Sequence, residues 1–153
     1  MKKKCRHLCA GFTLIELIIV LGVIAVVGST TLATYRGIQR RTLNNASLTL
    51  QADFRRAQRM AIIEGRRWRV SFNQHENHYS VYSMPRNLAE HVHTVYLPSG
   101  VWISYFNAAY VEYLPRGTIH RGFTLRLRKG NYEIRMTGAV SGGRIAVDAI
   151  TRL

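Results

Sequence analysis

Hydrophobic and polar positions follow three successive patterns along this chain. From Phe12 to Tyr35 the residues are overwhelmingly apolar, and the only charge is Glu16. From Arg36 to Glu64 there is no proline and one glycine, Gly37. Here Leu43, Ala46, Leu50, Phe54, Ala57 and Ala61 recur at three- and four-residue steps, which is one apolar face of an amphipathic helix. Gly65 is placed to cap its C-terminus. A continuous helix over Phe12–Glu64 would be about 80 Å long.

After Gly65 the period changes to two, the period of strands. Arg67 to Phe72 alternates, with Trp68, Val70 and Phe72 on one face. Asn73–Asn77 reads as a turn, His78–Met84 as the returning strand and Pro85–Glu90 as a loop. A second pair is expected from Thr94–Leu97 and Val101–Phe106 around Pro98-Ser99-Gly100, then a strand at Tyr110–Leu114 ended by Pro115-Arg116-Gly117. Phe123–Arg128 and Tyr132–Met136 form the clearest hairpin, since Gly130-Asn131 suits a primed two-residue turn. A last short strand, Arg144–Val147, follows Gly142-Gly143. One long helix followed by antiparallel strands predicts an α+β fold, the helix packed on a small sheet or sandwich.

The junction at the head of the apolar run carries the most specific signal. MKKKCRHLCAG precedes FTLIEL, so a short basic segment ends in Gly11, Phe12 follows, and Glu16 is fifth after the glycine. A carboxylate in a membrane segment costs about 3 kcal/mol on insertion scales and calls for a partner. An ordinary secretory signal has a clean apolar core and a small-residue cleavage site, which Glu16 and the length of the run oppose. The junction resembles the class III signal of type IV pilins and pseudopilins. That resemblance implies cleavage after Gly11 by a prepilin peptidase and N-methylation of Phe12. It also implies pairing of Glu16 with the Phe12 amine of a neighbouring subunit during filament assembly. Four segments are expected: a leader at 1–11, a membrane helix at 12–35, its amphipathic continuation at 36–64 and a β-rich globular domain at 65–153. The basic leader stays in the cytoplasm by the positive-inside rule, giving a single-pass protein of the cytoplasmic (inner) membrane with its domain outside. Both cysteines, Cys5 and Cys9, lie in the leader, so the mature chain has no disulfide and no thiolate site.

Further along, Ala57-Gln58-Arg59-Met60-Ala61, Pro115-Arg116-Gly117-Thr118, the hairpin and Gly142-Gly143-Arg144-Ile145 resemble the GspH/FimT group of minor pseudopilins. The group's globular part is a small β-sandwich packed on the helix. Its members serve type II secretion, type IV pili or competence pseudopili, usually near the filament tip. Implied partners are sister pilins, the peptidase, an inner-membrane assembly platform and, for competence, double-stranded DNA. The ending Asp148–Leu153 departs from the extended basic tail of the group's DNA binders.

Charge extends the picture. The net charge is +14, and loss of the four basic residues of the leader leaves +10. All but one of the remaining basic residues are arginine, which favours bidentate contacts with phosphate or carboxylate. With Gly130-Asn131 as the turn, Leu127 and Ile134 point inward and Arg126, Arg128 and Arg135 share the outer face. Arg126 directly opposite Arg135 is unfavourable unless an anion visits. Arg116, Arg121 and Lys129 extend the patch, and solubilisation or acidic sister subunits explain it as readily as DNA. His75/His78 and His91/His93 lack acidic or cysteine partners, so no metal site is expected, and no nucleophile motif, phosphate loop or carboxylate pair appears. The reading is a non-enzyme without cofactor. Three functions compete: a structural minor pilin or pseudopilin, a DNA receptor on the same fold, and an unrelated single-span anchored β-domain.

Overall fold

The computed structural model describes residues 13–153, the side chains of 28–36 and 87 excepted. The chain divides into two compact units, 1–37 and 38–153. Helix α1, Leu14–Glu64, begins in the first and ends in the second. In the first unit the apolar side chains from Leu14 to Val27 are all exposed. Among the described residues no helix is long and apolar enough to cross a membrane. Phe12 and the side chains of 28–35, which belong to the span expected at 12–35, lie outside them.

The second unit is α+β, as expected. Its nine strands are β1 (Arg67–Asn73), β2 (His78–Met84), β3 (Glu90–Tyr96), β4 (Trp102–Phe106), β5 (Tyr110–Tyr113), β6 (Phe123–Lys129), β7 (Tyr132–Gly138), β8 (Ile145–Val147) and β9 (Thr151–Arg152). They form two antiparallel sheets, ordered β3-β2-β1-β5 and β4-β6-β7-β8, with β9 also pairing with β7. The six-residue stripe from Leu43 to Ala61 is buried, as its spacing predicts. Gly65 follows the helix at φ 62°, the left-handed conformation of a C-terminal cap.

Phe54 ties the helix to both sheets. Its ring lies 6.1 Å from Phe72 of β1 and 5.5 Å from Phe123 of β6. Phe106 of β4 closes the cluster, 4.7 Å from Phe72 and 6.1 Å from Phe123. A single core therefore joins the helix and both sheets. Removing a ring at its centre is worth about 3–5 kcal/mol.

One expected pairing is overturned. The segments flanking Pro98-Ser99-Gly100 do not zip together, for β3 pairs with β2 and β4 pairs with β6 in the other sheet. Asn77, at the tip of the β1–β2 hairpin, holds both sides of this crossing. Its carbonyl accepts from the Leu97 N–H at 3.0 Å, and its side-chain amide donates to the Val101 carbonyl at 2.6 Å. Leu97 and Val101 are thereby drawn into the core, and the chain passes from one sheet to the other. The chain end also gains a strand the sequence pattern did not mark, β9.

Candidate functional site

The helix start is built by Thr13 and Glu16. The Thr13 hydroxyl accepts a hydrogen bond from the Glu16 backbone N–H at 3.3 Å, so threonine caps the helix that opens at Leu14. Thr-x-x-Glu is the spacing of a capping box, and a carboxylate in the first turn complements the helix dipole. The cap bond is made by the Glu16 backbone N–H, and the Glu16 carboxylate bears on the helix start through charge alone. Gly11 and Phe12, the expected cleavage pair, lie outside the described residues.

The arginine face is real as a piece of geometry. The β6–β7 register pairs Lys129 with Tyr132, Arg128 with Glu133, Leu127 with Ile134 and Arg126 with Arg135. Leu127 and Ile134 are buried, which leaves Arg126, Arg128 and Arg135 on the outer side. The Arg126–Arg135 repulsion is offset within the chain itself. Arg126 lies 3.6 Å from Glu133, and Arg135 lies 3.9 Å from Asp148. Neither acid is visible from the hairpin pairing alone, because Glu133 sits diagonally to Arg126 and Asp148 arrives with the segment after β8.

The pairing of β4 with β6 adds two aromatic side chains to this face. Arg128 stands over the Trp102 ring at 5.8 Å and Arg126 over the Tyr105 ring at 5.3 Å, with the two rings 41 % and 48 % exposed. Among the described residues Arg128 makes no ion pair, although Glu133 is its cross-strand neighbour, and its Nε donates to the Gly130 carbonyl at 3.2 Å. Sequence reasoning missed the aromatic pair because it assigned β4 to another neighbour. Lys129 reaches the Ser99 carbonyl at 2.6 Å. Arg116 and Arg121 sit on the segment joining β5 to β6, not on the sheet face. Arg121 borders a small hollow with Tyr110 and His120.

The histidines fall on the other sheet. His75 and His78 border an open hollow with Gln74, Ser80 and Tyr82 at the tip of the β1–β2 hairpin. On β3, His91 shares a 2.8 Å hydrogen bond with Thr94, and His93 lies 3.8 Å from Asp53. The Tyr79 hydroxyl donates to the same carboxylate at 2.6 Å. Burial, then this hydrogen bond, pushes the Tyr79 phenol far above its ordinary value.

A helix entered from a capped, acid-bearing start and buried against two antiparallel sheets defines the pilin-like class. Residues 6–32 match the family model of the prokaryotic N-terminal methylation motif, and residues 46–143 match that of type II transport protein GspH. The chain belongs to the GspH family, with the make-up of a GspH-type minor pseudopilin. Among solved structures it is similar to the minor pseudopilin EpsH from the type II secretion system of Vibrio cholerae. There the identity is 12 % and the TM-score 0.62, over 72 % of this chain and 97 % of that one. It is also similar to the type IV minor pilin FimU of Pseudomonas aeruginosa, at 13 % identity and TM-score 0.59, over 72 % and 90 % of the two chains. At these identities the likeness is one of fold. No curated protein sequence matches the chain.

Proposed function

We propose that this chain is a structural, non-catalytic minor pilin or pseudopilin subunit of a type II secretion, type IV pilus or competence filament, positioned near the filament tip. Prepilin peptidase cuts after Gly11, the Phe12 amine is methylated, and the apolar segment anchors the subunit in the inner membrane until the assembly platform extracts it. The observation that carries this reading is the joining, in one chain, of a methylation motif at 6–32 to a GspH domain at 46–143. The exposed apolar side chains from Leu14 to Val27 support it, since such a surface needs lipid or protein around it. The family match leaves no place for an unrelated anchored β-domain. Mass spectrometry of the protein from a host with an active prepilin peptidase tests the reading. A mature chain starting at methylated Phe12 is expected, and an intact leader or a cut near Ala33 would overturn it.

A second reading, weak binding of duplex DNA by the outer face of β6 and β7, rests on Arg128. Among the described residues this guanidinium makes no ion pair; it lies over the exposed Trp102 ring on a face that also bears Arg126 and Arg135. Such contacts attract phosphates without reading sequence.

A further inference from the structure

A hollow of about 260 Å³ opens between α1 and the loop before β8. Gln51, Arg55 and Gln58 border it from the helix, Tyr113 from β5, and Gly143 with Arg144 from the loop. The helix residues are four and three apart, so they form one stripe beside the buried one. Beside the hollow the Gln58 amide donates to the Gly117 carbonyl, on the segment joining β5 to β6, at 2.7 Å, and Gly143 packs against this bond. Gly143 sits at φ 61°, and a Cβ there would run into the Gly117 carbonyl and the Gln58 amide. Only glycine permits this approach.

The charged side chains bordering this hollow are both positive. Arg66, Arg67, Arg69, Arg126 and Arg135 each have an acidic partner within the chain. Among the described residues Arg55 and Arg144, like other surface arginines such as Arg56 and Arg59, have no hydrogen bond, ion pair or aromatic ring beneath them, and no acidic residue borders the hollow. Two unpaired guanidinium groups facing one small concavity repel each other and present donors arranged for a carboxylate or phosphate. Tyr113, which also borders the hollow, is itself fully buried.

We propose that this hollow receives an aspartate or glutamate side chain of a sister subunit in the filament, clamped between Arg55 and Arg144. The inference rests on the filament reading above and adds the site and the chemistry of one subunit contact. Size favours a protein carboxylate over duplex DNA. The hollow is smaller than ordinary small-molecule sites, and a duplex presents its phosphates on a convex rod that a cleft beside a helix does not admit. Its surroundings agree. A second hollow of about 500 Å³ shares Gln51 and continues along α1 past Arg40, Arg41, Asn44, Leu48, Asp148 and Ile150. That mixture of amide, aliphatic and charged groups suits a polypeptide running beside the helix.

The test uses the full chain expressed with its own filament machinery, with the photocrosslinker benzoylphenylalanine replacing Gln51. The expected product is a crosslink to a sister subunit, on a peptide containing an aspartate or glutamate. Arg55→Glu with Arg144→Glu should lower its yield at least tenfold, and changing the mapped acid to arginine should restore it. Both arginines are exposed and unpaired, so the fold tolerates the swap, and restoration by the second charge reversal excludes misfolding as the cause. Crosslinks to DNA, to peptides without acidic residues, or unchanged by the double swap would overturn the proposal. A chain present in filament fractions without any crosslink would overturn the hollow alone. A chain absent from those fractions would overturn the filament reading together with it.

Discussion

Arg69 grips Glu112 across the β1–β5 ladder, with Nε and Nη2 at 3.0 and 2.8 Å from one carboxylate oxygen. Its guanidinium lies 3.9 Å over the Tyr110 ring, and Glu112 is only 4 % exposed. The other oxygen has Arg67 at 3.5 Å. Removing one partner of a buried pair costs about 3–5 kcal/mol, because the remaining charge is left without compensation. Since Arg67 stays, Arg69→Met should fall near the lower end, about 3 kcal/mol. Denaturant unfolding of the chain in detergent measures this, and Arg69→Met with Glu112→Leu should recover most of the loss.

Tyr79 and Tyr113 predict an alkaline limit on stability. Burial raises both phenol pKa values, and the hydrogen bond to Asp53 raises Tyr79 further. The folded state therefore keeps these protons at pH values where the unfolded chain has released them. Stability is fully present below about pH 10 and falls as pH rises beyond it, by about 1.4 kcal/mol per pH unit for each tyrosine. Unfolding curves from pH 8 to 11.5 should show this slope, and Tyr79→Phe should remove roughly half of it.

Gly143→Ala should destabilise the protein and loosen the loop before β8. The left-handed backbone costs roughly 1–2 kcal/mol and the crowding against Gln58 about 1–3 more. Gly142→Ala is the matched control, since the nearest atom to its added carbon is Arg144 Cγ at 4.0 Å. That neighbour should stay within about 0.5 kcal/mol of the parent in thermal unfolding.

Glu16→Leu separates helix capping from filament pairing. Thr13 still caps the first turn, because the bond uses the residue-16 backbone N–H. Membrane insertion should be unchanged or improved, while incorporation into filaments should fall severalfold in pull-downs at native expression. Normal incorporation would assign the carboxylate to the helix start alone.

For the duplex-DNA reading, Arg126→Gln, Arg128→Gln and Arg135→Gln together should weaken binding and flatten its salt dependence in fluorescence titrations. Arg128→Gln should account for most of the loss, since Glu133 and Asp148 already engage the other two. Undiminished binding in the triple variant would dismiss this face.

The sequence by itself determined what depends on neighbours within about a dozen residues. The Leu43–Ala61 stripe, the Gly65 cap, the β1–β2 hairpin and the full β6–β7 register follow from spacing and turn chemistry, because burial on one face and a two-residue turn leave one alignment. The N-terminal junction was legible for the same reason, its signal lying in consecutive residues. Tertiary structure alone decided where separate pieces meet. It sent β3 and β4 to different sheets, brought Asp148 to Arg135, set Trp102 beneath Arg128 and laid Gly143 against Gln58. A strand's alternation tells which face is buried but not which edge it joins. That choice rests on contacts between distant segments, such as Asn77 holding Leu97 and Val101, whose free energy no local pattern carries.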